Sequence, residues 1–322
     1  MATIPLGITL RELDMAAALV HEVVPVTPAY RWALLCARLG IDITLKHENH
    51  TPLGAFKVRG GLTYVAALRE RSPHVTRLVC ATRGNHGQSI AFAASRAGLQ
   101  ATIVVPERNS PEKNAAMRAL GADLVVRGRD FDEAKAHAAA LVASDEHAHF
   151  VPSYHRDLVT GVATYARELF AAGDFDAVYV PIGLGSGISG AIAVRDLLGL
   201  ATEVVGVVAE RFPAYARSVE RGSSVETDAA DSIADGMAVR VTDPAALAVI
   251  RAGASRIVSV SEDAIRDAMR WIFTDTHNAA EGAGAAAVAA VAADGERLHG
   301  KRVAAIVSGG NVDAAVFASV LA

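Results

Sequence analysis

Short apolar runs alternate with longer amphipathic or alanine-rich stretches along the whole chain. The runs predict strands at residues 41–46, 78–82, 101–106, 124–127, 177–181, 204–209 and 303–307. Several are apolar at every position, the pattern of parallel strands covered on both faces. The stretches between them carry helix punctuation. Ser110-Pro111-Glu112 offers a hydroxyl cap, a proline at the first helical position and an acid in the first turn, and Gly121 closes the same helix after Leu120. Strand and helix in alternation predict an α/β fold with a mostly parallel sheet. The least regular stretch, 221–242, reads as a long functional loop or surface excursion.

Composition refines this picture. At 322 residues the chain suits one large domain or two medium ones. A hydrophobic share of 52% and a mean hydropathy of +0.28 raise the question of a membrane. Yet the apolar runs are strand-length, far short of the roughly 20 residues needed to cross a bilayer. With 31 Lys+Arg against 35 Asp+Glu, mixed along the chain, no basic arm or stripe exists for nucleic acid. Cys36 and Cys80 form no framework pattern and read as buried thiols in a reducing compartment. No charged-then-apolar leader opens the chain, so a cytoplasmic protein is expected.

Ligands of open parallel sheets collect at the carboxyl ends of the strands. Three glycine-punctuated turns follow predicted strands: Arg83-Gly84-Asn85-His86-Gly87-Gln88, the segment 183–190, and Ser308-Gly309-Gly310-Asn311. They should converge on one rim. The 183–190 turn holds four glycines and opens a helix, which suits a phosphate. A fourth segment, Gly54-Ala55-Phe56-Lys57-Val58-Arg59-Gly60, sets one lysine between an aromatic and a β-branched residue. Desolvation there would lower the pKa of Lys57 and make it an amine nucleophile or base. Each residue has a plainer reading: a solvated Lys57, a surface Arg59, a structural Asn85-His86 pair, a capping Ser308. Gly185-x-Gly187-x-x-Gly190, with Glu210 after the next strand, also spells a nicotinamide-dinucleotide fingerprint and an oxidoreductase. That reading leaves the other two turns and Lys57 without a task.

Taken together and in order, these motifs resemble the fold-type II pyridoxal-phosphate enzymes, specifically the threonine/serine dehydratase and serine racemase group. Ile233-Ala234-Asp235-Gly236 adds a short landmark, and alanine stands at Ala55 where serine is usual. The resemblance implies two open, mostly parallel twisted sheets flanked by helices, as in the tryptophan synthase β-subunit. It implies a large domain from 1–66 and 153–322 and a small, mobile domain from 67–152, whose closure excludes water. A homodimer is also implied.

The implied cofactor is pyridoxal 5′-phosphate, held by Lys57 as a Schiff base. Lys57, once displaced, is the base at Cα. Phe56 packs near the ring, Asn85 meets the ring 3′-oxygen, Gly183, Leu184, Gly185, Ser186 and Gly187 hold the phosphate, and Ser308 faces the pyridine nitrogen. Thr82, Arg83, Gly84, Asn85 and His86 grip the substrate carboxylate. A hydroxyl at Ser308 cannot keep the pyridine nitrogen protonated, which favours prompt loss of a β-hydroxyl over a long-lived carbanion. The implied reaction is dehydration and deamination of a 3-hydroxy amino acid, threonine or serine first, to a 2-oxo acid and ammonia. A hydroxyaspartate-like or aryl-substituted substrate is a further option.

Two departures from the family pattern matter. Arg83 stands where racemases carry a serine on the face opposite the lysine, so dehydratase is preferred to racemase. Glu210 and Ala214 match a family cation site, but its usual aspartate is missing at Ala216, so no metal is expected. With the chain ending at Ala322, no appended regulatory domain is expected either.

Overall fold

A computed structural model describes residues 6–228 and 230–322. In chain order its strands are β1 (Ala29–Arg31), β2 (Asp42–His47), β3 (Arg77–Ala81), β4 (Gln100–Val105), β5 (Asp123–Val126), β6 (Ala148–Phe150), β7 (Ala177–Pro181), β8 (Glu203–Ala209), β9 (Arg256–Val260) and β10 (Arg302–Val307). The helices are α1 (Leu10–His21), α2 (Ala33–Leu39), α3 (Lys57–Arg71), α4 (Asn85–Arg96), α5 (Pro111–Ala119), α6 (Phe131–Ala143), α7 (Arg156–Ala172), α8 (Ser186–Leu197), α9 (Ala214–Arg221), α10 (Pro244–Gly253), α11 (Glu262–Thr276), α12 (Gly282–Ala293) and α13 (Ala314–Leu321). None of them is long and apolar enough to cross a membrane.

The strands form two sheets. The larger has the order β1-β2-β10-β7-β8-β9 and is parallel except for the edge pairing of β1 with β2. The smaller, β5-β4-β3-β6, is parallel throughout. All four of its strands lie within 67–152, but its core is not confined there. Val20, Val58, Leu62, Val65 and Leu158 pack with Leu78, Cys80 and Ile103 in one cluster.

Burial follows the two-residue period of each strand. In the larger sheet Tyr179, Val205, Val207, Val303 and Ala305 face one core, while Val178, Val180, Val204, Ala304 and Ile306 face the other. Both faces are therefore covered, which is why these strands read as unbroken apolar runs. The alanine excess also has its place. Every residue of α12 from Gly282 to Val291 is buried, and the small side chains let this helix lie close against its neighbours.

Three strands fall outside the sequence expectation. β1 and β6 are three-residue segments at sheet edges, and β9 mixes Arg256 and Ser259 into its apolar run. The expected helix after Ser110 is α5, whose cap is the Ser110 hydroxyl accepting from the Lys113 amide at 3.0 Å.

Candidate active site

Strand order directs the chain to one cleft. In the smaller sheet the connections run from β3 outward through β4 to β5, then return to β6 on the other side of β3. In the larger sheet β10 inserts between β2 and β7. The loops after β3, β6, β7 and β10 thus open at points where the strand order reverses. They meet around a cavity of about 630 Å3. Phe56, Lys57, Thr82, Arg83, Gly84, Asn85, His86, Gly183, Leu184, Gly185, Ser186, Gly187 and Ser308 all line it. The irregular stretch before α10 lines it too, through Ser224 and residues 235–243.

Lys57 opens α3 and is fixed from both sides of its motif. Ala55 bridges Gly309, the Phe56 amide donates to the Ser308 carbonyl at 3.1 Å, and the Gly310 amide donates to the Gly54 carbonyl at 2.8 Å. These bonds bring the lysine and Ser308, 251 positions apart in sequence, onto one wall. Asn311 completes the clamp by donating to the Leu53 carbonyl at 2.7 Å. The Lys57 ammonium lies 4.9 Å from the centre of the Phe56 ring. Burial pulls its pKa down to about 8, against the charge of Glu281, which raises it.

The turn after β7 is built for an anion. Gly185 has φ +97°, a left-handed conformation that suits glycine, and it caps α8 without any side-chain hydrogen bond. The first-turn amides of this 12-residue helix have no side-chain cap and lie at the positive end of its dipole, an arrangement that suits an anion. A Cβ on Gly183 would overlap the carbonyl oxygen of Gly236. The Tyr215 hydroxyl donates to the Leu184 carbonyl at 3.1 Å and holds the loop. Gly190 does other work: a Cβ there would press within 3.1 Å of the Ala163 backbone, so it serves the packing of α8 on α7. Glu210 is exposed and lies outside the cavity lining. The two features that completed the dinucleotide fingerprint therefore have no part in the site.

The loop after β3 is organised by Thr82. Its hydroxyl accepts from the amides of Gly84 and Gly87 at 2.9 and 3.3 Å. α4 then begins without a side-chain cap, leaving the Asn85 and His86 amides without a side-chain acceptor. Asn85 is locked as well. Its amide nitrogen donates to Glu281 at 2.6 Å and its oxygen accepts from Asn311 at 2.9 Å. One of its two N–H bonds stays available for a ligand. Burial, with the Lys57 charge, pulls His86 down to about 3, so the ring is neutral.

Sequence reading missed the partner of this loop. Glu281, at the start of α12, also accepts from Lys113 at 3.1 Å, and Lys113 pairs with Asp235 at 2.7 Å. Burial raises the Glu281 carboxyl above its usual range, while Lys113 opposes the shift. Neither Lys113, on α5, nor Glu281, before α12, belongs to any motif read from the sequence. Only the Asp235-Gly236 landmark pointed here. Arg59 decides between two readings that the sequence left open. It is no surface charge, for it is fully buried and bonded to Glu48 and Glu168.

These residues fit the implied cofactor. An uncapped helix start with a left-handed glycine suits a phosphate, a buried amine of lowered pKa suits a carbonyl, and Asn85 retains a free donor. Gly183→Ala should consequently weaken cofactor affinity by at least tenfold. Titrating cofactor into the stripped variant and following visible absorbance checks this; wild-type affinity would refute it.

The family model for pyridoxal-phosphate dependent enzymes matches residues 20–309. The chain is 33% identical to the L-threonine ammonia-lyase of Thermotoga maritima over 95% of its length and 76% of that protein's. It is 31% identical to the biosynthetic L-threonine dehydratase of Salmonella typhimurium, covering 91% of this chain but only 58% of that relative. The solved processed form of threonine deaminase isoform 2 from Solanum lycopersicum superposes with a TM-score of 0.88 at 29% identity, over 98% of this chain and 94% of that one. The match takes in Lys57, the loops after β3, β6 and β7, and Ser308 after β10, and the chain belongs to the family of pyridoxal-phosphate dependent enzymes.

Proposed function

We propose that this protein is an ammonia-lyase that removes water and then ammonia from a 3-hydroxy amino acid, with threonine and serine as the first substrates to try. The observation that carries this reading is the convergence of Lys57, the 183–187 turn, the Asn85 loop and Ser308 on one cavity. The relatives named above, called threonine ammonia-lyase, dehydratase and deaminase, support it.

When bound, pyridoxal phosphate supplies an electron sink for the charge left at Cα. The chain supplies the rest. The first-turn amides of α8 would hold the phosphate, and Ser308 would give the pyridine nitrogen a neutral partner. Lys57, half-buried and with its pKa pulled down to about 8, would take the Cα proton and carry it at Nζ. The open amides of α4 orient the substrate carboxylate.

The residue at position 83 argues against racemisation. It needs a second proton carrier on the face opposite Lys57, where the resemblance puts Arg83 in place of the serine of racemases. The neighbouring Thr82 hydroxyl holds the loop by accepting from the Gly84 and Gly87 amides.

In this reading segment 67–152 is the moving part, and the ion pairs of Lys113 with Asp235 and Glu281 favour its closed position. A homodimer in the cytoplasm is the accompanying proposal, by analogy with the family. Reconstituted protein should release ammonia and a 2-oxo acid from at least one 3-hydroxy amino acid in a panel. Full visible absorbance without ammonia from any member would overturn the assignment.

A further inference from the structure

The five carboxylates of the cavity lining already have partners. Asp130 accepts from the Glu133 amide, and Asp243 from the Ala245 and Ala246 amides. Asp132 pairs with Arg240 at 3.6 Å, and Asp235 and Glu281 pair with Lys113. Of the cations in the lining, Lys57 is the cofactor's amine, Lys113 and Arg240 are paired, and Lys135 is exposed at the mouth. Arg83 differs from all of these. It is half-buried, its Nε is fully buried, and that nitrogen has no hydrogen-bond partner among the described residues.

A buried guanidinium nitrogen without an acceptor is costly, and the planar fork of arginine matches a carboxylate. The α-carboxylate of a substrate has another place to go, because the Asn85 and His86 amides at the start of α4 lack a side-chain acceptor. For a monocarboxylic substrate such as threonine, the guanidinium is then surplus in the cleft.

We infer that Arg83 is a specificity-determining residue that reads a second carboxylate, borne on Cβ, so that the preferred substrate is a 3-hydroxy dicarboxylic amino acid of the 3-hydroxyaspartate class. The inference rests on the β-elimination reading above. The chemistry balances without any added oxidant. The Cα–H and Cβ–OH bonds break and water leaves. The resulting enamine tautomerises to an imine, and water hydrolyses it to a 2-oxo dicarboxylic acid and ammonia.

Two arms test the inference on the holoenzyme. In the first, kcat/KM is measured for 3-hydroxyaspartate and for threonine in wild type, Arg83→Ser and Arg83→Lys. The wild-type ratio should favour 3-hydroxyaspartate, and it should fall by about 10- to 100-fold in Arg83→Ser, the size of a lost charged hydrogen bond. Arg83→Lys should recover part of it. In the second arm, calorimetry compares aspartate with 2-aminobutyrate, neither of which carries a hydroxyl to lose. Aspartate should bind more tightly to wild type, and the advantage should vanish in Arg83→Ser. An unchanged ratio in the first arm, or equal binding of the two ligands in the second, overturns the inference. If no hydroxy amino acid is turned over, the elimination reading fails while the binding arm still decides the role of Arg83.

Discussion

Lys57→Ala should abolish both ammonia release and the visible absorbance of the cofactor-loaded protein. The loss in turnover should be at least about 10³-fold, because in the proposed mechanism one side chain both holds the cofactor and moves the Cα proton. A variant that kept either property would remove Lys57 from its assigned place. The lowered pKa adds a test in the cofactor-free protein. Burial takes the amine from 10.5 to about 8. The unfolded chain therefore binds more protons than the folded chain between those values, and stability rises with pH across that window. Below about pH 8 the full penalty of a buried ammonium is present. Lys57→Met lacks that charge, so at pH 7 it should melt above the cofactor-free wild type. The gap should close as pH rises from 8 toward 10.5. A gap that persisted at high pH would mean that methionine simply packs better.

The same lysine shows how far a sequence can be read. Its neighbours advertised desolvation, and its motif, with three glycine turns in a fixed order, led to the cofactor chemistry. Buried parallel strands were legible for a related reason. Being covered on both faces, β7 and β10 are apolar at nearly every position, and their limits emerge within one residue. Edge strands carry no such signature. β1 and β6 are three residues long and partly exposed, and only their partners make them strands.

Polar burial was illegible for a deeper reason. Lys113 and Glu281 are 168 positions apart, and nothing local says that their charges meet in one cleft. Arg59 is the sharper case. Two residues from Lys57, it had the look of an ordinary charge on a helix, because its acceptors Glu48 and Glu168 come from other elements. Periodicity reports which face of an element is apolar, whereas a buried ion pair needs the tertiary fold to bring its members together.

Arg59→Met should destabilise the protein by about 3–5 kcal/mol, read as a lower urea midpoint, since removing one member of a buried ion cluster strands the others. Arg59 donates to Glu48 through Nε at 2.7 Å and Nη2 at 3.0 Å, and to Glu168 through Nη1 at 2.6 Å and Nη2 at 3.0 Å. Thr164 accepts a further bond at 3.0 Å. Without the guanidinium, the two carboxylates would keep Lys46, which donates to Glu168 at 2.5 Å, Thr27, which donates to both, and the His21 ring 2.9 Å from Glu168. Arg59→Lys should rescue little, because a single ammonium cannot reproduce the two-sided fork. The defect should also reach the chemistry, since Arg59 anchors the first turn of the helix that begins with Lys57. The pH dependence identifies the cause. Burial works to raise the Glu168 carboxyl, but the hydrogen bonds and charges of Arg59 and Lys46 outweigh it and hold the group at about 2. A carboxyl depressed in this way stabilises the fold above its unfolded value near 4.5, and the contribution fades as pH falls from there toward 2. The gap in midpoint between wild type and Arg59→Met should therefore be widest above pH 5 and narrow steadily below 4.5. A gap independent of pH would show that Arg59 anchors α3 by packing of its aliphatic stem, with its charge contributing nothing.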